Sequence, residues 1–420
     1  MKKRIYFRLC SCIILLITIS VCVHAQTYQS FRLELSQIAE RAQWRFGPFR
    51  IDPSIQFQNI GFDNNVYQMS EEDDPIGDYT ASISLPFTFY LPYRNWMIAY
   101  VDVSPGYNIY FNEKQLSGFI YRYSPGVRML LLNRFVLSGS YQRQKSLQRP
   151  TVEFDRIIPV ETEGFDASLF LETISLTAIG FTGSVSNVRY EDIDGEVRYA
   201  IQLNREERSG KFEFYYRILT DSDLFLTAGY TEYNFEDPES RWRDSYSYDV
   251  LSGIRFPLLG RARGMLSLGY RWLTNRADDS RRFSGLIGNT GLDFRLGRFN
   301  LRFQFTRDFQ FSYSSTSLYF TGNRYGTGLS FYPAPFLRLD YDFSYGQSDY
   351  PEAQPIRLPD GELTEIKRKD IYRVHTTGLV FRIKENIGIG LTVTYWERES
   401  NIGDFGRNRT FIGGYLTYDF

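Results

Sequence analysis

The chain contains 420 residues, with 48 Lys or Arg against 49 Asp or Glu, and its formal net charge is −1. This balance excludes the strongly basic surface that a nucleic-acid-binding protein needs, so no nucleic-acid partner is expected. Aromatic residues make up 17% of the chain, with 32 Tyr and 35 Phe, and this share favours a fold rich in β-strands.

Residues 1–25 have the features of a secretory signal peptide. A basic start, MKKR, precedes an apolar run that is too short to span a bilayer comfortably, and VHA at its end loosely fits the small-residue cleavage pattern. We therefore predict removal of this segment after Ala25. The alternative is a lipoprotein signal ending at Cys22, but Val21 is a poor fit for the small residue expected before such a cysteine.

The cysteines and histidines leave little scope for metal or cofactor chemistry. Cys10, Cys12 and Cys22 all lie in the predicted signal, so the mature chain would have no disulfide and no thiolate metal site. The only histidine beyond the signal is His375. No cofactor is therefore predicted, and nothing near His375 in the sequence suggests a nucleophile, so an enzyme is not expected.

Residues 26–46 differ from the rest of the chain. Leu35, Ile38, Ala39 and Ala42 fit a short amphipathic helix. This lead-in could stay in the periplasm, fold into the interior of the domain that follows, or be unstructured.

Residues 47–420 contain one strand pattern after another. In NLRFQFTRDFQF (300–311), Leu301, Phe303 and Phe305 share one face, while Arg302 and Gln304 share the other. A strict period of two over 8 to 12 residues predicts a half-buried strand, and about 10 residues is the length that a tilted strand needs to cross a bilayer. The mature chain contains no apolar run long enough for a transmembrane helix.

The connections between these strands alternate in length. Short ones occur at 91–95, 131–134, 172–175, 220–223, 257–262, 296–299, 332–336 and 384–387. Longer, charged ones occur at 71–78, 144–164, 235–244, 274–282, 346–369 and 397–408, with a short exception between Phe111 and Leu116. Short turns at one end and long loops at the other are typical of an outer-membrane barrel.

The hairpins set the expected strand number. Eight short turns imply eight hairpins, and one strand at each terminus brings the total to 18. Counting periodic runs gives 19, and because bacterial barrels have even strand numbers we assign 194–204 to an extended outer loop or overhanging hairpin. The fold class is therefore all-β, a transmembrane antiparallel up-and-down β-barrel of about 18 strands, with 16 as the alternative.

Aromatic residues near the predicted strand ends support a membrane. Tyr93 and Trp96 flank one short turn, and Trp272 and Trp396 lie near loops, as in the aromatic girdles of membrane interfaces. A large secreted β-sandwich or propeller would also alternate, but no blade-length repeat is visible. No segment resembles a plug, so an open lumen is expected.

Two short stretches resemble known outer-membrane proteins. The final strand, FIGGYLTYDF, places Leu416, Tyr418 and Phe420 in a pattern similar to the C-terminal signal read by the barrel-assembly machinery of Gram-negative bacteria. The stretch RIDPSIQFQNIGFDNNVY (50–67) resembles the opening strand of the Putative beta-barrel porin 2 family. The matching residues are Pro53, Ser54, Asp63, Asn64 and Asn65. The resemblance implies a porin-like function in the outer membrane and supplies no catalytic residues.

Seven arginines are candidates for a basic ring inside the barrel. Alternation places each on the polar face, close to a short turn: Arg128, Arg217, Arg255, Arg295, Arg302, Arg338 and Arg382. A ring of arginines would favour anions. The alternative is a structural network in which these arginines pair with acids on neighbouring strands, such as Glu213, Asp293, Asp340 and Asp342.

Three functions are compatible with this pattern. The first is a porin-like channel for small hydrophilic solutes, with a possible preference for anions. The second is a polysaccharide or glycan conduit, with Tyr90, Tyr215 and Tyr415 as sugar platforms. The third is a non-conducting structural or adhesion barrel.

The outer membrane supplies the expected partners. These are its lipid and lipopolysaccharide, and acidic loop stretches such as those at 71–74, 278–279 and 349–365 could bind divalent cations that bridge lipopolysaccharide. Simple solvation of these loops is the alternative.

Overall fold

A computed structural model of the protein describes residues 31, 35, 38 and 42–420, without 70–73, 150, 152, 154–156, 173–176, 192–197, 220–221, 259–261, 279, 315, 358–362, 385 and 403–405. The predicted signal and its three cysteines lie outside the described residues. Most of the acidic stretch at 71–74 also lies outside them.

The described residues form twenty strands in one antiparallel sheet. The strands are β1 (Trp44–Phe46), β2 (Phe49–Asp63), β3 (Asp78–Ser84), β4 (Phe87–Tyr93), β5 (Met97–Tyr110), β6 (Gly118–Leu131), β7 (Phe135–Gln148), β8 (Ile158–Glu172), β9 (Thr177–Tyr190), β10 (Arg205–Leu219), β11 (Ser222–Phe235), β12 (Ser245–Leu258), β13 (Ala262–Asn275), β14 (Arg282–Leu296), β15 (Phe299–Phe311), β16 (Tyr319–Ala334), β17 (Leu337–Arg357), β18 (Leu363–Lys384), β19 (Ile387–Ser400) and β20 (Arg407–Asp419).

The sheet closes into a barrel of 18 spanning strands. Strand β1 is short and pairs only with β2. Strands β3 and β4 both pair with β2 and β5, so together they form one spanning strand that is interrupted between Ser84 and Phe87. The last strand, β20, pairs with β2 and closes the ring. Closure pairs the edge strands, which a sheet in lipid requires. The prediction of 18 strands is confirmed, and the alternative of 16 is wrong.

The connections divide as the sequence predicts. One end of the barrel carries the eight short turns, together with the start of β2 and the end of β20, and the other end carries the longer connections. In the β6–β7 turn, Leu132 and Asn133 both have positive φ, at 51° and 56°. Two such residues form the type I′ turn whose twist matches a tight hairpin. We call the two ends the short-turn end and the long-connection end.

Helical structure is minor in the described part of the chain. It consists of one helical turn at Arg198–Ile201, 3₁₀ turns at Lys114–Leu116 and Pro238–Arg243, and helical positions at Phe31, Leu35 and Ile38. None of the described helices is long and apolar enough to cross a membrane.

The two faces of the sheet differ as alternation predicts. Outward residues such as Leu268 and Leu391 are exposed, with 61% and 57% of their surface free for contact with lipid. Ile412 and Phe420 of the last strand are also exposed, on the same outward face as Leu416 and Tyr418. Inward neighbours are mostly buried or half-buried.

Three details of the prediction need correction. Most of 346–369 is strand rather than loop, because β17 and β18 stay paired well beyond the length needed to cross a bilayer. Trp396 faces inward and is 1% exposed, so it is not a girdle residue, whereas Trp272 is exposed on the outer face. The expected open lumen is also wrong, because chain segments occupy both of its ends. The described part of 194–204 lies in the β9–β10 connection and forms no strand, as expected.

Candidate functional site

The inner wall at the short-turn end has two chemically different halves. On β5, β6, β7, β8 and β9, inward residues near the turns are apolar: Ile98, Leu130, Val136, Phe170 and Ala178. Apart from the buried Val380, an apolar exception that lies opposite Arg338, the corresponding residues on β14 to β20 are mostly polar or glycine: Arg295, Asn300, Arg302, Ser330, Arg338, Arg382, Gly388 and Thr417. We call these the apolar wall and the polar wall. A uniformly water-filled lumen would need only the polar kind.

The seven candidate arginines lie at similar depth. Each is one to three residues from the short-turn end of its strand, and alternation directs each towards the lumen. The structure therefore places these arginines at one depth on the inward face. Whether they act in ion selectivity stays a prediction.

Four of these arginines form ion pairs with aspartates. Arg217 and Arg255 both approach Asp223, the former at 3.5 Å between Nε and Oδ1. Arg302 Nη2 lies 3.1 Å from Asp342 Oδ1, and Arg338 Nε lies 2.7 Å from Asp340 Oδ2. Pairing reduces the net positive charge of the ring, so any anion preference should be modest.

A second charged network lies on the inner wall formed by β12, β13 and β15. Arg271 donates to Asp308 Oδ2 at 2.8 Å and to Asp249 Oδ1 at 3.2 Å. Nearby on β10, Glu213 accepts hydrogen bonds from Tyr215 Oη at 2.7 Å and from Thr182 Oγ1 at 2.9 Å. The sequence analysis missed Arg271 and its partners, although alternation places them on the inward face.

An N-terminal segment covers the apolar wall. Phe31, Leu35 and Ile38 are helical, and together with Ala42 we call them the N-terminal segment. Phe31 is completely buried. Its cluster includes the apolar wall together with Tyr90, Tyr215, Phe225 and Met265. Because these wall residues face the lumen, the segment lies inside the barrel.

Connections fill the long-connection end in a similar way. Ala200 and Leu203 of the β9–β10 connection and Leu318 of the β15–β16 connection join a buried cluster. Its other members include inward residues of the wall: Ile158, Val160, Val188, Tyr190, Tyr233, Phe235, Leu273, Phe283 and Ile287. These connections therefore fold into the lumen and narrow this mouth.

Glu153 ties two of these connections together. It is 1% exposed, in the β7–β8 connection, and it accepts hydrogen bonds from Ser312 Oγ at 2.7 Å and from the backbone N–H of Tyr313 at 2.9 Å. Burial raises the pKa of the Glu153 carboxyl above its usual range, although the nearby Arg368 opposes this.

Arg243 holds the same loop from another side. Its Nη2 donates to the carbonyl oxygen of Tyr313 at 2.9 Å, and burial lowers its pKa to about 10. The β15–β16 connection is thus bound by the β7–β8 and β11–β12 connections together.

The other candidate residues lie in different parts of the barrel. Tyr90 and Tyr215 belong to the cluster around the N-terminal segment, which leaves little of their rings for a glycan, and Tyr415 lies beside Arg338. His375 lies on the outward face, where its Nδ1 is 3.0 Å from Tyr341 Oη. Among the described residues, no three acidic, histidine or cysteine side chains meet as a metal site.

The motif Asp63-Asn64-Asn65 joins the first spanning strand to the last. Arg409 Nε donates to Asp63 Oδ2 at 2.8 Å, and both side chains are largely buried. The backbone N–H of Thr410 donates to Asn64 Oδ1 at 2.6 Å, and Asn65 Nδ2 donates to the carbonyl oxygen of Asn408 at 2.9 Å. The motif therefore strengthens the seam where the barrel closes.

Breaking this seam should destabilise the barrel. We expect Asp63→Ala to cost about 3–5 kcal/mol, because it leaves the buried Arg409 unpaired. The measurement is the temperature at which the folded band on SDS gels converts to the unfolded band, which should fall. The double variant Asp63→Ala/Arg409→Ala should recover part of the loss. Equal loss in the single and double variants would contradict a pairing role.

Similarity to known proteins agrees with this architecture. The outer membrane protein opdK from Pseudomonas aeruginosa has a TM-score of 0.52 and 11% identity, over 88% of this chain and 98% of that chain. OccK3 (OpdO) from the same organism has a TM-score of 0.48 and 12% identity over 93% and 99%, and OccAB3 from Acinetobacter baumannii has 0.48 and 10% over 88% and 99%. At such identity the likeness to opdK establishes the fold alone.

Sequence comparison identifies the family. Among curated proteins none matches the chain. Residues 41–418 match the family described as Putative beta-barrel porin 2. This span includes the seam motif and all of the spanning strands except the last residue of β20. The chain therefore belongs to the Putative beta-barrel porin 2 family.

Proposed function

We propose that the protein is an outer-membrane channel for the passive passage of small hydrophilic solutes. The observation that carries the proposal is the closed barrel of 18 strands with a polar, arginine-bearing wall along one side of its lumen. A barrel of this size is wide enough to hold an aqueous path beside the segments inside it. Membership of a porin family supports a channel rather than an enzyme.

Conductance tests the proposal directly. Purified protein inserted into planar bilayers should give discrete current steps, and inserted protein without steps would contradict a channel and favour a structural barrel. We expect the steps to be small for an 18-stranded barrel, because segments narrow both mouths.

We also propose a weak preference for anions. At least four of the seven arginines form ion pairs with aspartates, so the excess positive charge at the short-turn end is limited. Reversal potentials in a salt gradient should show anions favoured by roughly a few-fold at most. A clear cation preference would overturn this part of the proposal while leaving the channel intact.

We also propose which molecules contact the outside of the barrel. Outward charged pairs such as Arg143 with Glu161 and Arg373 with Glu399 lie towards the long-connection end, at the depth suited to lipopolysaccharide headgroups. Leu416, Tyr418 and Phe420 are proposed as the signal for the barrel-assembly machinery. Transport out of the cytoplasm by a cleaved signal at 1–25 remains a prediction.

A further inference from the structure

We propose that the N-terminal segment sets the width of the short-turn mouth, and that solutes pass along the polar wall of β14–β20. This inference rests on the proposed channel function and adds the path through the lumen and the residues that select along it. It depends on two matched surfaces: the apolar face of the segment and the unequal halves of the barrel wall.

The first surface is the face of the segment. Phe31, Leu35 and Ile38 are spaced by four and three residues, which places them on one side of a helix. Phe31 and Ile38 are buried in the lumenal cluster, and Leu35 packs against it. The segment therefore presents one apolar stripe to the wall.

The second surface is the apolar wall. Ile98 and Val136 are each only 1% exposed although they face the interior of a channel. Leaving a side chain of this kind in water would cost about 1.5–3 kcal/mol relative to burying it. Covering the apolar wall with another apolar surface is therefore favourable. The N-terminal segment belongs to the same buried cluster and supplies that surface.

The polar wall offers the segment much less apolar surface, since Val380 is its one buried apolar residue opposite a ring arginine among the described residues. Its near-turn residues include Arg302, Arg338 and Thr417, which would lose hydration without an apolar gain under an apolar stripe. The contrast between the walls fixes the side on which the segment docks. The opposite side of the lumen, along the polar wall, is then left for water and ions.

Five of the seven arginines lie on one of the two walls, whereas Arg217 and Arg255 lie on β10 and β12, between the walls. Arg128 lies on β6 beside Leu130 and opposite the buried Ile98. Arg302 and Arg338 lie on the polar wall and remain partly exposed. Only the second group should act strongly on passing ions, because charge selectivity needs proximity to the path.

Cysteine protection tests where the segment docks. Since the chain has no cysteine after residue 22, a single cysteine can be read without background. Val136→Cys should react at least tenfold more slowly with a charged, water-soluble thiol reagent than Thr417→Cys, because it lies under the segment. Adding Phe31→Glu and Ile38→Glu should remove this protection. Equal rates at the two positions with the segment unmodified would overturn the docking.

Conductance tests the effect on the path. The variant Phe31→Glu/Ile38→Glu should conduct roughly twofold more than the parent, because displacing the segment widens the mouth. Heat-dependent mobility on SDS gels would verify that the variant is folded. A folded variant that has lost Val136→Cys protection but conducts as the parent does would overturn the role of the segment in limiting width.

Reversal potentials test the path itself. Arg302→Ala and Arg338→Ala should each shift selectivity towards cations, and Arg128→Ala should shift it by less than half as much. Arg143→Ala, on the outer face, is the control for a charge removed outside the lumen. A shift for Arg128→Ala as large as that for Arg302→Ala would overturn the proposed path.

These outcomes separate the inference from the function on which it rests. If the parent protein and all variants fail to conduct, the proposed channel fails, whereas the thiol rates still decide whether the segment docks on the apolar wall. If the parent conducts and the thiol rates are equal, the inference fails and the channel stands.

Discussion

Replacing Leu268 with arginine is expected to destabilise the folded barrel by about 2–4 kcal/mol. Leu268 lies near the middle of β13, and its side chain is 61% exposed on the outward face. In a membrane this exposed surface meets hydrocarbon, where a guanidinium loses its hydration and gains no partner. The urea concentration at the midpoint of unfolding from lipid vesicles should therefore fall.

The adjacent position supplies the matched control. Ser267 points into the lumen, where its Oγ donates to the carbonyl oxygen of Asn289 at 2.9 Å. Ser267→Arg adds the same charge at the same depth but on the wetter side of the sheet, so its cost should be at most about 1 kcal/mol, near that of a surface change. Equal destabilisation by the two variants would contradict the assignment of faces.

The fold was predictable because apolar and polar side chains alternate along its strands with a period of two residues. Outward residues of the spanning strands are mostly apolar and inward residues are more often polar, and short turns separate the strands, so closure at 18 followed from counting hairpins. The alternation does not predict strands whose backbone pairing continues outside the membrane. Residues 346–369 carry prolines and charges like a loop, yet β17 and β18 keep their ladder through most of this stretch.

The lumen was less predictable, because its contents depend on register and on distant segments. Alternation gave the face and depth of Arg302 and Arg338, but their pairing with Asp342 and Asp340 depends on how strands and rotamers meet. The docking of Phe31 was not visible either. A signal for it exists in the sequence: Ile98 and Val136 are apolar at inward positions beside turns, where a water-filled lumen would need polar residues.

Glu153→Ala is expected to shift the long-connection mouth towards an open state. The carboxylate accepts the hydrogen bonds of Ser312 Oγ and the Tyr313 N–H, and both would be left buried without it. Each orphaned group costs about 1–3 kcal/mol, and about 1.4 kcal/mol changes an equilibrium tenfold. Single-channel records should show at least roughly tenfold longer occupancy of the largest conductance level. Glu239→Ala, at an exposed loop position, should leave the records unchanged.

The same carboxyl should make this mouth sensitive to pH. Because burial raises the pKa of Glu153 in the docked arrangement, docking takes up a proton; it is most favourable below the ordinary pKa of the group and weakens as pH rises through the raised value. The parent channel should thus open more often at pH values above the raised pKa of Glu153 than at pH values below it. Glu153→Gln keeps the shape and an oxygen acceptor but cannot titrate, so its gating should lose this dependence. A parent and a Glu153→Gln variant with the same pH response would show that another group controls the mouth, since the connections would then be held by contacts such as that of Arg243 with Tyr313.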